Sequence, residues 1–196
     1  MKYQNIIFDF GNVLVKFDEQ QVIGRFCPAP EDFPLMKGAI FHNWEELDRG
    51  TIDYGEYMEQ AASLLPKRLH PCLRQISLEW CRYLSPLQKT WDFIRELKEQ
   101  GFSLYILSNA STFFAEHIDC YEITREFDGI VFSGYLQMLK PEPGIYRYLF
   151  DKYQLNPKDC FFLDDKAENV KAGQKLGMDG IVFTGDIQAV RQAIGL

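Results

Sequence analysis

The sequence predicts an α/β protein, a doubly wound and mostly parallel sheet into which an all-helical segment is inserted. Three observations predict it. Past Pro86, short β-branched and aromatic runs alternate with amphipathic stretches of helical period, a pattern that implies right-handed crossovers and a parallel sheet. A run of the same kind, Asn5-Ile6-Ile7-Phe8, stands near the start and belongs to that sheet. Between the two, the chain is strand-poor and its apolar residues are spaced in threes and fours. The division read from this pattern is a core of residues 1–15 and 86–196, with residues 16–85 as the helical insert.

The first run reaches Asp9, and Gly11 after it is free to turn tightly. In the insert, Val22, Ile23 and Phe26, then Phe41, Trp44 and Leu47, then Tyr54, Tyr57 and Met58, then Ile76, Trp80, Tyr83 and Leu84 mark successive helical stripes. Pro28, Pro30, Pro34, Gly38, Gly50, Pro66 and Pro71 cut the segment into several short helices. Beyond Pro86 the expected elements are a helix over 87–100 stopped by Gly101, a strand over 103–107, a helix from Thr112 and a strand over 129–132. A helix over 144–154, a strand over 160–163, a helix over 167–176 and a strand over 180–183 complete the series. There is no internal repeat or low-complexity tract.

Composition narrows the function classes. A chain of 196 residues buries a sizeable core with room for a modest insertion. Its net charge of -7, and the lack of any Lys/Arg-rich stripe, argue against a nucleic-acid surface. Lys67, Arg68, Arg74 and Arg82 read as a solvated helix face. The five cysteines, Cys27, Cys72, Cys81, Cys120 and Cys160, are odd in number and widely spaced, which indicates neither a disulfide framework nor a zinc site. No run approaches the roughly 18 apolar residues of a membrane span, and no apolar signal region follows Lys2. A cytoplasmic protein acting on a small metabolite, with neither nucleic acid nor membrane as partner, is the expectation. An acidic protein that binds a small anion must supply local positive charge, from a Lys, a metal or helix N-termini.

In a parallel sheet the carboxyl ends of the strands share one edge, where ligands bind. The strand over 103–107 runs into Ser108-Asn109, the strand over 129–132 is followed by Lys140-Pro141, and the strand over 160–163 runs into Asp164-Asp165. Asp9, Ser108, Lys140 and Asp165 can therefore converge. Taken singly, each has a plainer reading as a turn former, a helix cap or an exposed loop residue. Taken together they describe a chemistry. Carboxylates pressed together repel unless a cation sits between them, and an all-oxygen set suits Mg²⁺, with Asp9, Asp165 and the Gly11 carbonyl as ligands. Lys140 and the Ser108 hydroxyl would hold phosphoryl oxygens, and Asp9 as nucleophile would form an acyl-phosphate that water then hydrolyses.

Four ordered motifs carry these residues: Asp9 in FDFGNVL, Ser108 in LSNAS, Lys140 in LKPEP, and Asp164 with Asp165 in FLDDKAENV. In this order they resemble the haloacid dehalogenase superfamily of aspartate-nucleophile phosphatases. They are most similar to its branch of small bacterial sugar-phosphate phosphatases, glucose-1-phosphate phosphatases among them. The resemblance implies a Rossmann-like core with residues 16–85 as a small helical cap. It implies Asp9 as nucleophile and Mg²⁺ ligand, Gly11 and Asp165 as further ligands, Asp164 as support, and Ser108, Asn109 and Lys140 on the phosphate. Asn169 stands where many relatives carry another acid. In the cap, Trp44, Glu45, Arg49 and Tyr54 are candidate substrate contacts, with packing of the cap's own small core an equal reading for Trp44 and Tyr54; His42, His70 and His117 read as structural or surface residues, His42 being the one candidate for the cap pocket.

The sequence departs from that pattern at Gly11, where typical phosphatases of the superfamily place a second Asp as general acid and base. Asp18 or a cap residue is then the candidate substitute. The reading that results is Mg²⁺-dependent hydrolysis of a small phosphate monoester, a sugar phosphate, through an aspartyl-phosphate. The alternative is a phosphate-binding or regulatory protein that lost turnover with the missing acid, and a phosphomutase or phosphotransferase is a third possibility.

Overall fold

The computed structural model describes residues 2–27 and 29–196; Met1 and the break assigned to Pro28 lie outside the described residues. In chain order the elements are β1 (Asn5–Phe8), β2 (Val15–Lys16), α1 (Glu19–Phe26), α2 (Phe33–Ile40), α3 (Trp44–Arg49), α4 (Tyr54–Ser63), α5 (His70–Glu79) and β3 (Ser85–Pro86). They continue as α6 (Gln88–Glu99), β4 (Ser103–Ser108), α7 (Thr112–Glu116), β5 (Gly129–Phe132), α8 (Pro143–Tyr153), β6 (Cys160–Asp164), α9 (Ala167–Lys175), β7 (Asp179–Val182) and α10 (Ile187–Ile194). Single 3-10 turns punctuate the connections.

Five strands form one parallel sheet in the order β5-β4-β1-β6-β7. The chain moves outward from β1 through β4 to β5, then returns to the other side of β1 for β6 and β7. Strand order reverses at β1, so the end of β1 opens onto the crevice where such sheets bind ligands. The β1 side chains divide the core by their alternation. Ile6 and Phe8 join Leu104, Ile106, Phe161 and Leu163 on the face covered by Ile94 and Leu97 of α6 and Val190 of α10. Ile7 joins Tyr105, Leu107, Val131 and Phe162 on the opposite face, under Ile145, Tyr146 and Leu149 of α8. Both faces are covered, as a parallel sheet requires, which is why these strands read as continuous apolar runs.

Among the described residues, everything between β2 and β3 is helical or irregular. Those two strands are a two-residue antiparallel pair in which Val15 meets Pro86 and Lys16 meets Ser85. The pair is too short to leave a period in the sequence, and it went unanticipated, as did α10. Leu14, between the sheet and this neck, is fixed by two bonds: its carbonyl accepts from the Trp91 indole at 2.8 Å and from the Leu87 amide at 2.9 Å. Arg68 is exposed, as a solvated helix face requires, and from there it clasps the buried Asp32 carboxylate with both guanidinium nitrogens, at 2.6 and 2.5 Å.

Candidate active site

Asp9 follows β1 directly, and its amide donates to the Leu163 carbonyl of β6 at 2.8 Å, so the turn out of β1 starts under sheet control. Its Oδ1 accepts from the Phe10 amide at 2.7 Å and faces Lys140 Nζ at 2.8 Å. Lys140 arrives from the long connection after β5 and is buried to 4% exposure. Its ammonium also donates to Asp164 Oδ2 at 2.6 Å and to the Leu107 carbonyl at 2.8 Å. Burial depresses the Lys140 ammonium, but the two carboxylates outweigh that and raise its pKa. Burial pushes the Asp9 carboxyl above its usual range, Lys140 pulls it back, and the Asp164 charge adds to the rise.

Asp164 ends β6 and is fully buried. Its oxygens accept from Lys140, from both approaches of Asn169 Nδ2 at 2.9 and 3.0 Å, and from the Lys166 amide at 2.8 Å. This carboxylate is occupied by protein donors, and its work is to hold Lys140. Asp165 is half-buried and accepts from Asn12 Nδ2 at 3.1 Å. Asn12 sits in left-handed backbone, φ 56°, which Asn tolerates better than most residues. Its Oδ1 also accepts from the Phe17 amide at 3.2 Å.

Oxygens of Asp9, Asp164 and Asp165 lie within 4.8 Å of one another. Three carboxylates beside one ammonium leave net negative charge, which a hard divalent cation would offset. Two further observations fit such an ion. The Gly11–Val15 bridge is made by the carbonyls of Phe10 and Val15, leaving the Gly11 carbonyl outside it. Asn169 Oδ1 is buried and unpartnered, an acceptor suited to the water shell that Mg²⁺ keeps.

These residues open onto a cavity of about 660 Å³ between the sheet edge and the insert. Asp9, Gly11, Ser108, Asn109, Lys140 and Asp165 all line it from the core. Trp44, Glu45 and Arg49 line it from α3. Phe17, Phe41, Trp80 and Phe114 give it an aromatic wall. Trp44 also packs on Phe41 with ring centres 4.8 Å apart, so it serves the insert's own core and the cavity together. Arg49 reaches from α3 to Glu142 Oε1 at 2.7 Å, both residues lining the cavity, and lies 3.3 Å from Glu45.

Asn109 lines the cavity and uses its side chain to clamp the Lys140 loop, accepting from the Lys140 amide at 2.8 Å and donating to its carbonyl at 2.9 Å. Three other candidates do not line the cavity. His42 stacks on Tyr57 at 4.5 Å and lies off the cavity wall. Tyr54 stacks on Phe113 at 3.9 Å and donates to the Ser77 carbonyl at 2.7 Å, likewise away from the cavity. Asp18 caps α1, accepting from the Gln21 amide at 3.0 Å, and does not reach the site.

Three further residues near the site carry no signal of their own in the sequence. Asn12 and Lys166 sit beside recognised motif positions and were legible only as their neighbours. Asp48 of α3 lines the same cavity as Asp9, with no motif around it to mark it.

A family model described as haloacid dehalogenase-like hydrolase matches residues 3–177. D-ribitol-5-phosphate phosphatase of Bacteroides thetaiotaomicron is 25% identical over 187 residues, covering 90% of this chain and 89% of its own. A sesquiterpene phosphatase of Aspergillus oryzae is 29% identical over 205 residues, covering 98% and 97%. Among solved structures, a HAD family enzyme from Bacteroides thetaiotaomicron in complex with magnesium and inorganic phosphate superposes with a TM-score of 0.77 at 23% identity, over 96% of this chain and 98% of that one.

Proposed function

The chain belongs to the haloacid dehalogenase-like hydrolases, and from that membership and the sheet-edge geometry we propose that it hydrolyses a small phosphate monoester, a sugar or polyol phosphate, in a Mg²⁺-dependent reaction. The observation that carries this is the meeting of Asp9, Asp165 and the buried Lys140 on one wall of a cavity large enough for a phosphorylated metabolite. The relative that acts on D-ribitol-5-phosphate supports the substrate class.

Asp9, Asp165 and the Gly11 carbonyl would hold Mg²⁺, which when bound offsets the carboxylate charge and polarises the phosphoryl oxygens. The chain's own residues do the rest. Asp9 Oδ1 is engaged by Phe10 and Lys140, which fixes the carboxylate plane and leaves the second oxygen for attack on phosphorus. Lys140, held by Asp164 and the Leu107 carbonyl, presents a fixed positive charge to the phosphoryl group, and the Ser108 hydroxyl adds a donor beside it. A preorganised ammonium needs no reorientation as charge shifts in the transition state. Residues 16–85 act as a cap over the site: its Arg49–Glu142 pair joins cap to core on the cavity wall and would exclude water once substrate is in place.

A second reading concerns the leaving group. The aromatic wall favours an apolar or ring-shaped alcohol, and the similarity to a sesquiterpene phosphatase points the same way. Phosphate release from sugar phosphates, polyol phosphates, farnesyl phosphate and 4-nitrophenyl phosphate, with Mg²⁺ or EDTA, ranks these classes. Mg²⁺-dependent release that Asp9→Asn abolishes is the expected result. Phosphate and Mg²⁺ binding without release from any substrate would replace the hydrolase with the phosphate-binding reading.

A further inference from the structure

We propose that Asp48, carried on the insert, is the general acid and base of this site and supplies the proton transfer for which Gly11 has no side chain. The inference rests on the phosphatase reading. Gly11 leaves a gap: a Cβ built there meets nothing within 4 Å. Some other group on the cavity wall has to meet the leaving oxygen, and the acids there can be sorted by their commitments. Glu45 and Glu142 are paired with Arg49, and Glu19 with Lys37. Asp165 is bonded to Asn12 within the carboxylate cluster, and Glu168 is exposed. Asp48 remains as the acid with no salt-bridge partner: its carboxyl accepts from the Trp44 side chain and the Ser111 backbone and lies near the charges of Lys166 and Asp9.

Its position is fixed by the backbone. The Asp48 carbonyl accepts from the Ser133 hydroxyl at 2.6 Å, and the same hydroxyl accepts from the Ala110 amide at 2.9 Å, two residues past Ser108. Two residues on, Gly50 turns in left-handed backbone, φ 77°, so close to Gly134 that a Cβ on it would stand 2.0 Å from the Gly134 carbonyl oxygen. The end of α3 is thereby seated on the loop that follows β5. Burial raises the Asp48 carboxyl to about 8, against the opposing pull of Lys166, the Trp44 side chain and the Ser111 backbone, and with a further push from Asp9. A carboxyl of that kind is protonated near neutrality, the state a proton donor needs.

The two half-reactions balance through this group. In the first, an Asp9 oxygen bonds to phosphorus as the bond to the leaving oxygen breaks, and that oxygen takes the Asp48 proton to depart as an alcohol. In the second, the Asp48 carboxylate takes a proton from water, whose oxygen attacks phosphorus. The bond to Asp9 then breaks, its electron pair returns to the Asp9 carboxylate, and inorganic phosphate leaves. A 4-nitrophenyl ester needs little protonation of its leaving group, so it separates the first role from the second.

The test compares Asp48→Asn, a near-isosteric stand-in for the protonated acid, with the wild type on a sugar phosphate and on 4-nitrophenyl phosphate. The expected result is a 10²- to 10⁴-fold fall in kcat on the sugar phosphate. With 4-nitrophenyl phosphate, the first burst of nitrophenolate should be nearly unchanged, and phosphorylated Asp9 should accumulate, visible by intact mass after acid quench. Gly11→Asp added to Asp48→Asn fills the open space and should restore much of the sugar-phosphate rate; a loss that this second change leaves untouched counts against the proposal. Equal losses on both esters with no phosphoenzyme, or a raised KM at unchanged kcat, would overturn it and make Asp48 a binding residue. A wild type that releases no phosphate would overturn the phosphatase reading itself, and the Asp48 role with it.

Discussion

Lys140 is the residue on which the site turns, because two buried carboxylates depend on one ammonium. Removing one partner of a buried ionic cluster is costly, since it leaves charge uncompensated in low dielectric. Lys140→Met is expected to lower stability by about 3–5 kcal/mol in urea unfolding without Mg²⁺; a loss below about 1 kcal/mol would show that the cluster is solvated or protonated. Asp48 makes the opposite kind of statement. Its folded-state pKa is raised from 3.8 to about 8, so the folded protein binds the proton more tightly than the unfolded chain does. The stability linked to that proton is fully present below the ordinary carboxyl range and is lost as pH rises through about 8. Urea midpoints recorded across this range should fall with pH in the wild type more steeply than in Asp48→Asn.

At the scale of elements, the sheet edge and the end of α3 must be held in register, and two glycines show how differently that is done. Gly50 needs both its left-handed backbone and its lack of a side chain, because the Gly134 main chain stands where a Cβ would go. Gly50→Ala is expected to cost about 1–3 kcal/mol from backbone strain alone, and to lower kcat as well, since the clash moves α3 and Asp48 off the core. Gly11 has neither constraint in this structure, so Gly11→Ala should leave the urea midpoint almost where it is. Equal costs for the two would mean that the contact between α3 and the core is softer than the geometry implies. The neck strands β2 and β3 complete the picture: the two passages between sheet and insert are tied to each other by this pair.

For the whole molecule, ligands should report on the link between insert and core. Mg²⁺ at one hundred times its Kd is expected to add about 2.7 kcal/mol to stability by mass action. Asp165→Asn should remove that gain, whereas Asp48→Asn should keep it, because Asp48 belongs to the other wall; thermal melts with Mg²⁺ and with EDTA decide. The Arg49–Glu142 pair lines the cavity but is partly exposed, so Arg49→Met should cost less than about 1 kcal/mol of stability. Its expected signature is a higher KM with little change in unfolding, read from steady-state kinetics beside a melt.

The parallel sheet and the points where chemistry meets it were legible in the sequence because strand ends are local facts: an apolar run, then a polar residue, repeated at β1, β4 and β6. Asp9, Ser108, Lys140 and Asp165 followed from that periodicity and topology, and the structure seats all four on one cavity. The clamp that Asn109 makes on the Lys140 loop left no mark in the sequence, because its partners lie 31 residues away. Asp48 was invisible for a stronger reason. No spacing marks it, and its place on the same cavity as Asp9 exists only because Ser133 and Gly134 receive the end of α3. Local pattern sets which residues end a strand or start a helix, since that depends on backbone period and side-chain polarity. Which distant acid is desolvated against the reacting centre depends on packing between segments, and tertiary structure alone decided it.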